Sequence, residues 1–334
     1  MANAESATPK SGASPTAPPP KGAESQDAPA PKSPLGPRPK WRHYIEAAIA
    51  FVVMALLARL SMANAADVGA RIARLIAPWT SSWQTAKKNL ALAMPELGMF
   101  ERRRIAAQAF DNFGRVMAEY CKLPWMWRTS WDSIVDVVGR EHLQRAVAGG
   151  KRGVIIFTAH VGNWEIIPMV LAHAGRPVML VYRAANNPFI DKRIGEIRGL
   201  YTAALAPKGA EGARAIVDHI QNGGVVYMVV DQKMNTGVEV PLFGVGAMTG
   251  KAIARIAMRH HCELLPARCE RLGRSQFRVT FEAPWFVPGD HRNENDVRDA
   301  LAKINLKIEE WVRATPGQWL WMHRRWPKAA KRPA

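Results

Sequence analysis

The sequence predicts an α/β fold: a mostly parallel central sheet with helices on both faces, preceded by an N-terminal membrane-anchoring helix. Three observations carry this. Short apolar runs at 154–157 (VIIF), 177–182 (PVMLVY) and 225–230 (VVYMVV) have the composition of buried strands. Segments of helical period separate them, and such alternation favours parallel pairing through crossover helices. Far upstream, 45–58 (IEAAIAFVVMALLA) is apolar apart from Glu46, and 44–60 is just long enough to cross a bilayer.

In chain order, residues 1–40 belong to no core. Pro, Ala, Ser, Gly and Lys dominate, with Pro18-Pro19-Pro20 as the extreme, the composition of a disordered tail. Residues 41–62 form the anchor, for which three readings are open: a membrane helix, a buried core helix, or a cleaved signal ending near Ala63-Asn64-Ala65. The Pro-rich stretch ahead of it and Arg59 within it weigh against a signal peptide. Basic residues lie on both sides and are denser downstream, which places the main domain, 63–330, in the cytoplasm. Three cysteines (Cys121, Cys262, Cys269) are too few for a disulfide framework and suit a reducing compartment.

The remaining elements are read from period and punctuation. At 67–76, Val68, Ile72, Leu75 and Ile76 share one face opposite Arg71 and Arg74, a helix for a core or for the headgroup plane. Residues 101–122 read as a helix, followed by the aromatic turn Pro124-Trp125-Met126-Trp127. Helices are expected at 188–200, at 211–221 (stopped by Asn222-Gly223-Gly224), at 249–260 and at 295–313. Two further strands are expected at 264–270 and 276–282.

Chemistry concentrates where the first strand ends. It breaks at Thr158-Ala159-His160, and the carboxyl edge of an open α/β sheet is where sites form. Asn163 can cap the next helix, placing Glu165 in its first turn, from which the carboxylate could reach back to His160. The spacing alone is weak: nine His in this composition give roughly 0.75 such pairs by chance. His291 and Asp296 form a second, with no buried strand to deliver it. More telling, three successive strands each end in a polar group, His160, Arg183 and Asp231, which a parallel sheet brings to one edge.

These residues carry a family resemblance. His160-Val161-Gly162-Asn163-Trp164-Glu165 resembles the H-x4-D/E motif of glycerolipid acyltransferases, in the form typical of lipid A late acyltransferases. Tyr182-Arg183 is similar to that branch's second motif. Asp231-Gln232-Lys233-Met234-Asn235, with Val240-Pro241-Leu242-Phe243-Gly244 and Ala247-Met248-Thr249, is similar to its third. The end, from Pro316-Gly317-Gln318-Trp319 to His323-Arg324-Arg325-Trp326, resembles its usual ending, with Gly317 where Glu is common.

The resemblance implies transfer of a fatty acyl group from acyl carrier protein to a hydroxyl on a lipid A precursor, at the cytoplasmic face of the bacterial inner membrane. His160 would be the general base and Glu165 its support. Arg183, Asp231, Asn163 and Gly162 would serve the substrate: Arg183 as a fork donor to phosphate, Asp231 ordering the site or holding Arg183. Backbone N–H groups near Val161-Gly162 are candidate oxyanion donors. No cofactor and no metal are expected. A lysophospholipid or glycolipid acyltransferase would use the same first motif.

The formal net charge of +18 fits acidic partners: an acidic carrier protein, a phosphorylated lipid and anionic inner-membrane lipids. A non-enzyme alternative is nucleic-acid binding, with the Trp- and Arg-rich segment 319–326 stacking bases. Trp and Arg also mark membrane interfaces, and no nucleic-acid motif accompanies them, so nucleic acid is not an expected partner. His260-His261-Cys262-Glu263 with Cys269 lacks metal-site spacing. Gly244 and Gly246 form no phosphate loop, and no G-x-S-x-G is present.

Overall fold

A computed structural model describes residues 39–129, 131–148, 153–207, 209–327 and 330. The tail expected at 1–40 lies almost wholly outside the described residues. Among them the helices are α1 (Trp41–Ala58), α2 (Met62–Ile76), α3 (Ser81–Ala93), α4 (Met99–Glu119), α5 (Leu123–Arg128), α6 (Arg140–Val147), α7 (Ile166–His173), α8 (Pro188–Arg198), α9 (Ala210–Gln221), α10 (Ala252–His260) and α11 (Glu294–Ala314). The strands are β1 (Val135–Val138), β2 (Val154–Thr158), β3 (Val178–Tyr182), β4 (Thr202–Pro207), β5 (Val225–Val229), β6 (Val238–Leu242), β7 (Val245–Thr249), β8 (Glu263–Arg271), β9 (Phe277–Phe281) and β10 (Trp285–Phe286).

The sheet runs β1-β9-β8-β2-β5-β3-β4, with β10 antiparallel on β8 and the β6–β7 hairpin apart. Pairing along that path is parallel except between β8 and β9. The sheet is therefore mostly parallel, as the alternation predicts. Because side chains alternate along a strand, β2 serves two cores. Ile155 and Phe157 pack with α4, α10 and α11, whereas Val154 and Ile156 pack with α5, α7 and α8. All five β2 residues are buried, and each large apolar side chain so placed contributes about 1.5–3 kcal/mol. This burial makes β2 a rigid base for the turn at its carboxyl end.

Helix α1 is not a core helix. Ile49, Val52 and Leu56 are each more than half exposed, and only Ala47 is buried. Its 18 residues span about 27 Å, and by length and composition it can cross a membrane. The other face is tied down. Asn187 donates to the His43 carbonyl (2.9 Å) and to Glu46, Tyr44 lies 4.8 Å from Phe189, and the Lys122 ammonium caps the Ala58 and Leu60 carbonyls. Helix α2 packs on α4, where Gly69 and Gly114 let the backbones touch: a Cβ on either would lie 2.3 Å from the other's carbonyl oxygen. Its Ile72, Leu75 and Ile76 remain exposed, so α2 serves both the core and an apolar surface.

Candidate active site

Strands β2, β5 and β3 are parallel neighbours, so their carboxyl ends share one edge. His160, Asp231 and Arg183 lie just beyond those ends. A cavity of about 250 Å³ there is lined by His160, Trp164, Glu165, Arg183, Gln232 and His323, among others. Two larger grooves, one beside α1 and α8 (about 500 Å³) and one beside α4 and Gln318 (about 660 Å³), contain no histidine.

The carboxylate that meets His160 is Asp231, not Glu165. His160 Nδ1 lies 2.6 Å from Asp231 Oδ1, and the His160 backbone N–H donates to Oδ2 at 2.9 Å. Trp319 Nε1 donates to the same Oδ2 at 2.7 Å. Burial by itself would raise the Asp231 carboxyl. The charge of the His160 ring, the two hydrogen bonds from that residue and the Trp319 N–H outweigh it and bring the pKa to about 2. Asp231 therefore holds His160 instead of Arg183. Arg183 stays exposed at the cavity wall, with no carboxylate partner among the described residues.

Glu165 is buried and gripped by Arg198 of α8, which donates Nε to Oε2 at 3.1 Å and Nη2 to Oε1. Desolvation would lower the Arg198 pKa, but the Glu165 charge raises it further, keeping the guanidinium charged. The reach from Glu165 back to His160 fails because the turn between them carries Glu165 toward α8. The two still line one cavity.

Gly162 and Asn163 do not line that cavity; they build the turn. Gly162 has φ +59°, and a Cβ there would lie 2.0 Å from the Cys269 carbonyl oxygen, so only glycine fits. Asn163 is buried, accepts the Glu165 N–H (3.2 Å) and donates to Glu119 Oε2 (2.8 Å). It does not cap α7 directly, since Glu165 occupies that position. Beneath the turn, Glu119 pairs with both terminal nitrogens of Arg271 at 2.5 and 2.8 Å, and Asn112 donates to the Gly162 and Gln318 carbonyls.

The expected oxyanion donors are also engaged elsewhere. The Val161 N–H donates to Ala159 and the Gly162 N–H to the Gln318 carbonyl (3.1 Å).

The C-terminal segment is the back wall of the site. Val161 bridges Trp319, the Leu320 N–H donates to the His160 carbonyl, and His323 lines the cavity. Its tryptophans are unavailable for stacking: Trp319, Trp321 and Trp326 are at most 3% exposed, and Trp321 and Trp326 donate Nε1 to the Pro316 and Val245 carbonyls. This removes the stacking surface on which the nucleic-acid reading rested. Arg325 is buried too, donating to the Met248 carbonyl and the Thr249 hydroxyl, and burial lowers its pKa to about 10. At Gly317 a Cβ would lie 2.7 Å from that of Gln108, which fills the space a Glu would need.

Two residues escaped the sequence reading. Gln232 places its amide nitrogen 3.4 Å from His160 Nε2, and the His323 ring lies 6.4 Å from that of His160 at 14°. Both stand inside motifs already singled out, and adjacency to Asp231 was the available signal for Gln232. Among the described residues no cluster of three or more His, Cys, Asp or Glu could hold a metal.

The arrangement is a histidine held by a buried carboxylate, beside an exposed arginine, at the wall of a small cavity. Comparison with known proteins shows the family. The model of the bacterial lipid A biosynthesis acyltransferases matches residues 37–328. The lipid A biosynthesis palmitoleoyltransferase of Escherichia coli (strain K12) is 27% identical over 267 residues, covering 77% of this chain and 83% of that protein. The lipid A biosynthesis lauroyltransferase of the same organism is 27% identical over 250 residues, covering 71% and 76%. Among solved structures, the 1-acyl-sn-glycerophosphate (LPA) acyltransferase PlsC from Thermotoga maritima is 12% identical with a TM-score of 0.34, covering 75% of this chain and 99% of that one. A likeness of that size carries no weight here. The family match spans most of the chain, all three motifs and the C-terminal wall: the protein belongs to the bacterial lipid A biosynthesis acyltransferase family.

Proposed function

We propose that this enzyme transfers a fatty acyl group from the thioester of acyl carrier protein to a hydroxyl of a hydroxyacyl chain on a lipid A precursor. The site acts at the cytoplasmic face of the bacterial inner membrane. The observation that carries the chemistry is the His160–Asp231 pair at the cavity wall. With Nδ1–H donated to Asp231, Nε2 is the free base. It takes the hydroxyl proton as the oxygen attacks the thioester carbon, and Asp231 stabilises the imidazolium. The proton then passes to the departing thiolate. No cysteine nucleophile is needed, and burial pushes the Cys262 and Cys269 thiols up to about 11 and 12, out of reactive range.

Glu165 serves the reaction from the cavity wall by holding Arg198 in place. Arg183, exposed and without a carboxylate partner among the described residues, suits a phosphate of the acceptor. The exposed face of α1 supports membrane attachment, as do Ile72, Leu75, Ile76, Trp79 and Phe100 near it in sequence. The charge of +18 suits anionic lipid and an acidic donor protein.

The test has two arms. Mass spectrometry of lipid A from cells lacking the protein should show one acyl chain missing. Unchanged lipid A with altered phospholipids would assign a lysophospholipid acceptor instead. In a purified assay with labelled acyl donor, His160→Ala should lose ~10²–10⁴-fold in rate. His291→Ala, its spacing-matched control, should stay near wild type. An active His160→Ala enzyme ends the general-base assignment.

A further inference from the structure

A base removes the proton, but the thioester carbonyl oxygen gains a full negative charge as the hydroxyl adds to it. Something in the site must answer that charge. In many acyl-transfer sites backbone N–H groups do so. Here the turn after β2 has almost none to offer. Of the seven N–H groups from His160 to Ile166, six have partners inside the protein. His160 donates to Asp231, Val161 to Ala159, Gly162 to Gln318, Asn163 to the Cys269 sulfur, and Glu165 and Ile166 to Asn163. Re-aiming Gly162 would break a strand-like register with Val161 and Trp319, and its position against the Cys269 carbonyl leaves no room to rotate.

Two side-chain donors stand beside His160 in the cavity. The Gln232 amide nitrogen lies 3.4 Å from His160 Nε2, the atom where the substrate hydroxyl must bind. The His323 ring stands 6.4 Å from the His160 ring, nearly parallel to it, and lines the same cavity. Neither ring nitrogen of His323 has a hydrogen-bond partner among the described residues. Its peptide carbonyl accepts from Asn89 at 2.7 Å, which fixes the backbone that carries it.

We propose that Gln232 and His323 form a side-chain oxyanion hole, donating hydrogen bonds to the thioester oxygen in the tetrahedral intermediate. This rests on His160 being the base. In the resting site Gln232 N–H points at His160 Nε2. The incoming hydroxyl takes that place, and the amide turns to the carbonyl oxygen. The hydroxyl oxygen forms a bond to the carbonyl carbon, its proton goes to His160 Nε2, and the carbonyl π pair moves onto oxygen. Collapse re-forms the carbonyl, breaks the C–S bond, and the thiolate takes the proton from the imidazolium. His323 suits donation in its neutral form. Its pKa is lowered, by desolvation first and then by the charges of His160 and Arg183, with Asp231 opposing.

The experiment is steady-state kinetics on the full-length enzyme in detergent, with binding of a phosphonate ester that mimics the tetrahedral intermediate. Gln232→Ala and His323→Ala should each lower kcat by ~10²–10³-fold, with KM changed less than about threefold. Their affinity for the phosphonate should fall by a similar factor while substrate affinity holds, a pattern that a structural role would not produce. His323→Gln, which keeps an N–H donor, should recover part of the loss. Gln232→Glu, which keeps the shape but removes the donor, should not, and should move the acidic limb of kcat/KM upward by placing a carboxylate beside His160. If an alanine variant fails to fold, Gln232→Glu and His323→Phe decide, since both keep bulk and lack the donor. Wild-type kcat in both, with His160→Ala dead, overturns the oxyanion assignment and leaves the base in place. An active His160→Ala enzyme overturns both.

Discussion

At the scale of single residues, Asp231 takes the place beside His160 that spacing assigned to Glu165. It accepts three hydrogen bonds, two from His160 and one from Trp319, in a fully enclosed position. Its carboxyl is depressed from the ordinary 3.8 to about 2, so the stabilisation it provides is complete above the ordinary value. That stabilisation, roughly 2 kcal/mol, is lost as pH falls through the folded value. Urea unfolding of Asp231→Asn should therefore show a flatter dependence on pH between about 4 and 2 than wild type. Its kcat at neutral pH should fall ~10²-fold or more, because the imidazolium loses its counter-charge and the tautomer is no longer fixed. An unchanged acid limb would mean that Asp231 is not ionised against His160.

At the scale of elements, the turn between β2 and α7 is held from below by parts of the chain far apart in sequence. Glu119 closes α4, Arg271 closes β8, and Gln318 lies beyond α11; all converge under Gly162 and Asn163. Glu119 and Arg271 are both nearly or fully buried, with side-chain exposures of 0% and 9%. Glu119→Ala leaves a buried guanidinium uncompensated and should destabilise by about 3–5 kcal/mol in chemical denaturation. Adding Arg271→Met should recover part of that, because the pair's desolvation penalty disappears with both charges. Equal stability of the single and double variants would show that the turn does not rest on this pair. The hairpin of β6 and β7 is a second such case. Phe243 takes φ 55° at its turn, against the preference of an L side chain, because Trp319, Trp321 and Trp326 enclose the ring and Glu309 accepts its N–H.

At the scale of the molecule, α1 joins an exposed apolar face to an element of the cavity wall. The helix leans on α8, which also carries Arg198 into the cavity wall, while its outward face meets solvent or lipid. Replacing Ile49, Val52 and Leu56 by Asn leaves the α8 contacts intact and should move a large share of the enzyme from the membrane pellet to the soluble fraction. Any remaining binding should weaken in high salt, since it would run through the basic surface. Full retention in the pellet at high salt would place the main membrane contact elsewhere.

The sequence by itself determined the parallel core, the strands it read at 154–157, 177–182 and 225–230 (each within a residue of its observed bounds), the apolar helix near the start, and the edge on which His160, Arg183 and Asp231 meet. Local period and composition dictate these, because the burial of a sheet imposes both directly on the chain. Sequence reading missed β1, β4 and the β6–β7 hairpin. The exposed residues of β1 and β4 dilute the apolar signal, and Phe243 conceals the turn. Only the tertiary structure decided which carboxylate reaches His160, that Gly162 and Asn163 support the site instead of lining it, and that the C-terminal tryptophans are walls and not a binding surface. Side-chain partners five residues apart and seventy-one apart compete for the same imidazole. The path of the turn after β2, set by Glu119, Arg271 and Gln318, settles that competition, and no spacing rule encodes it.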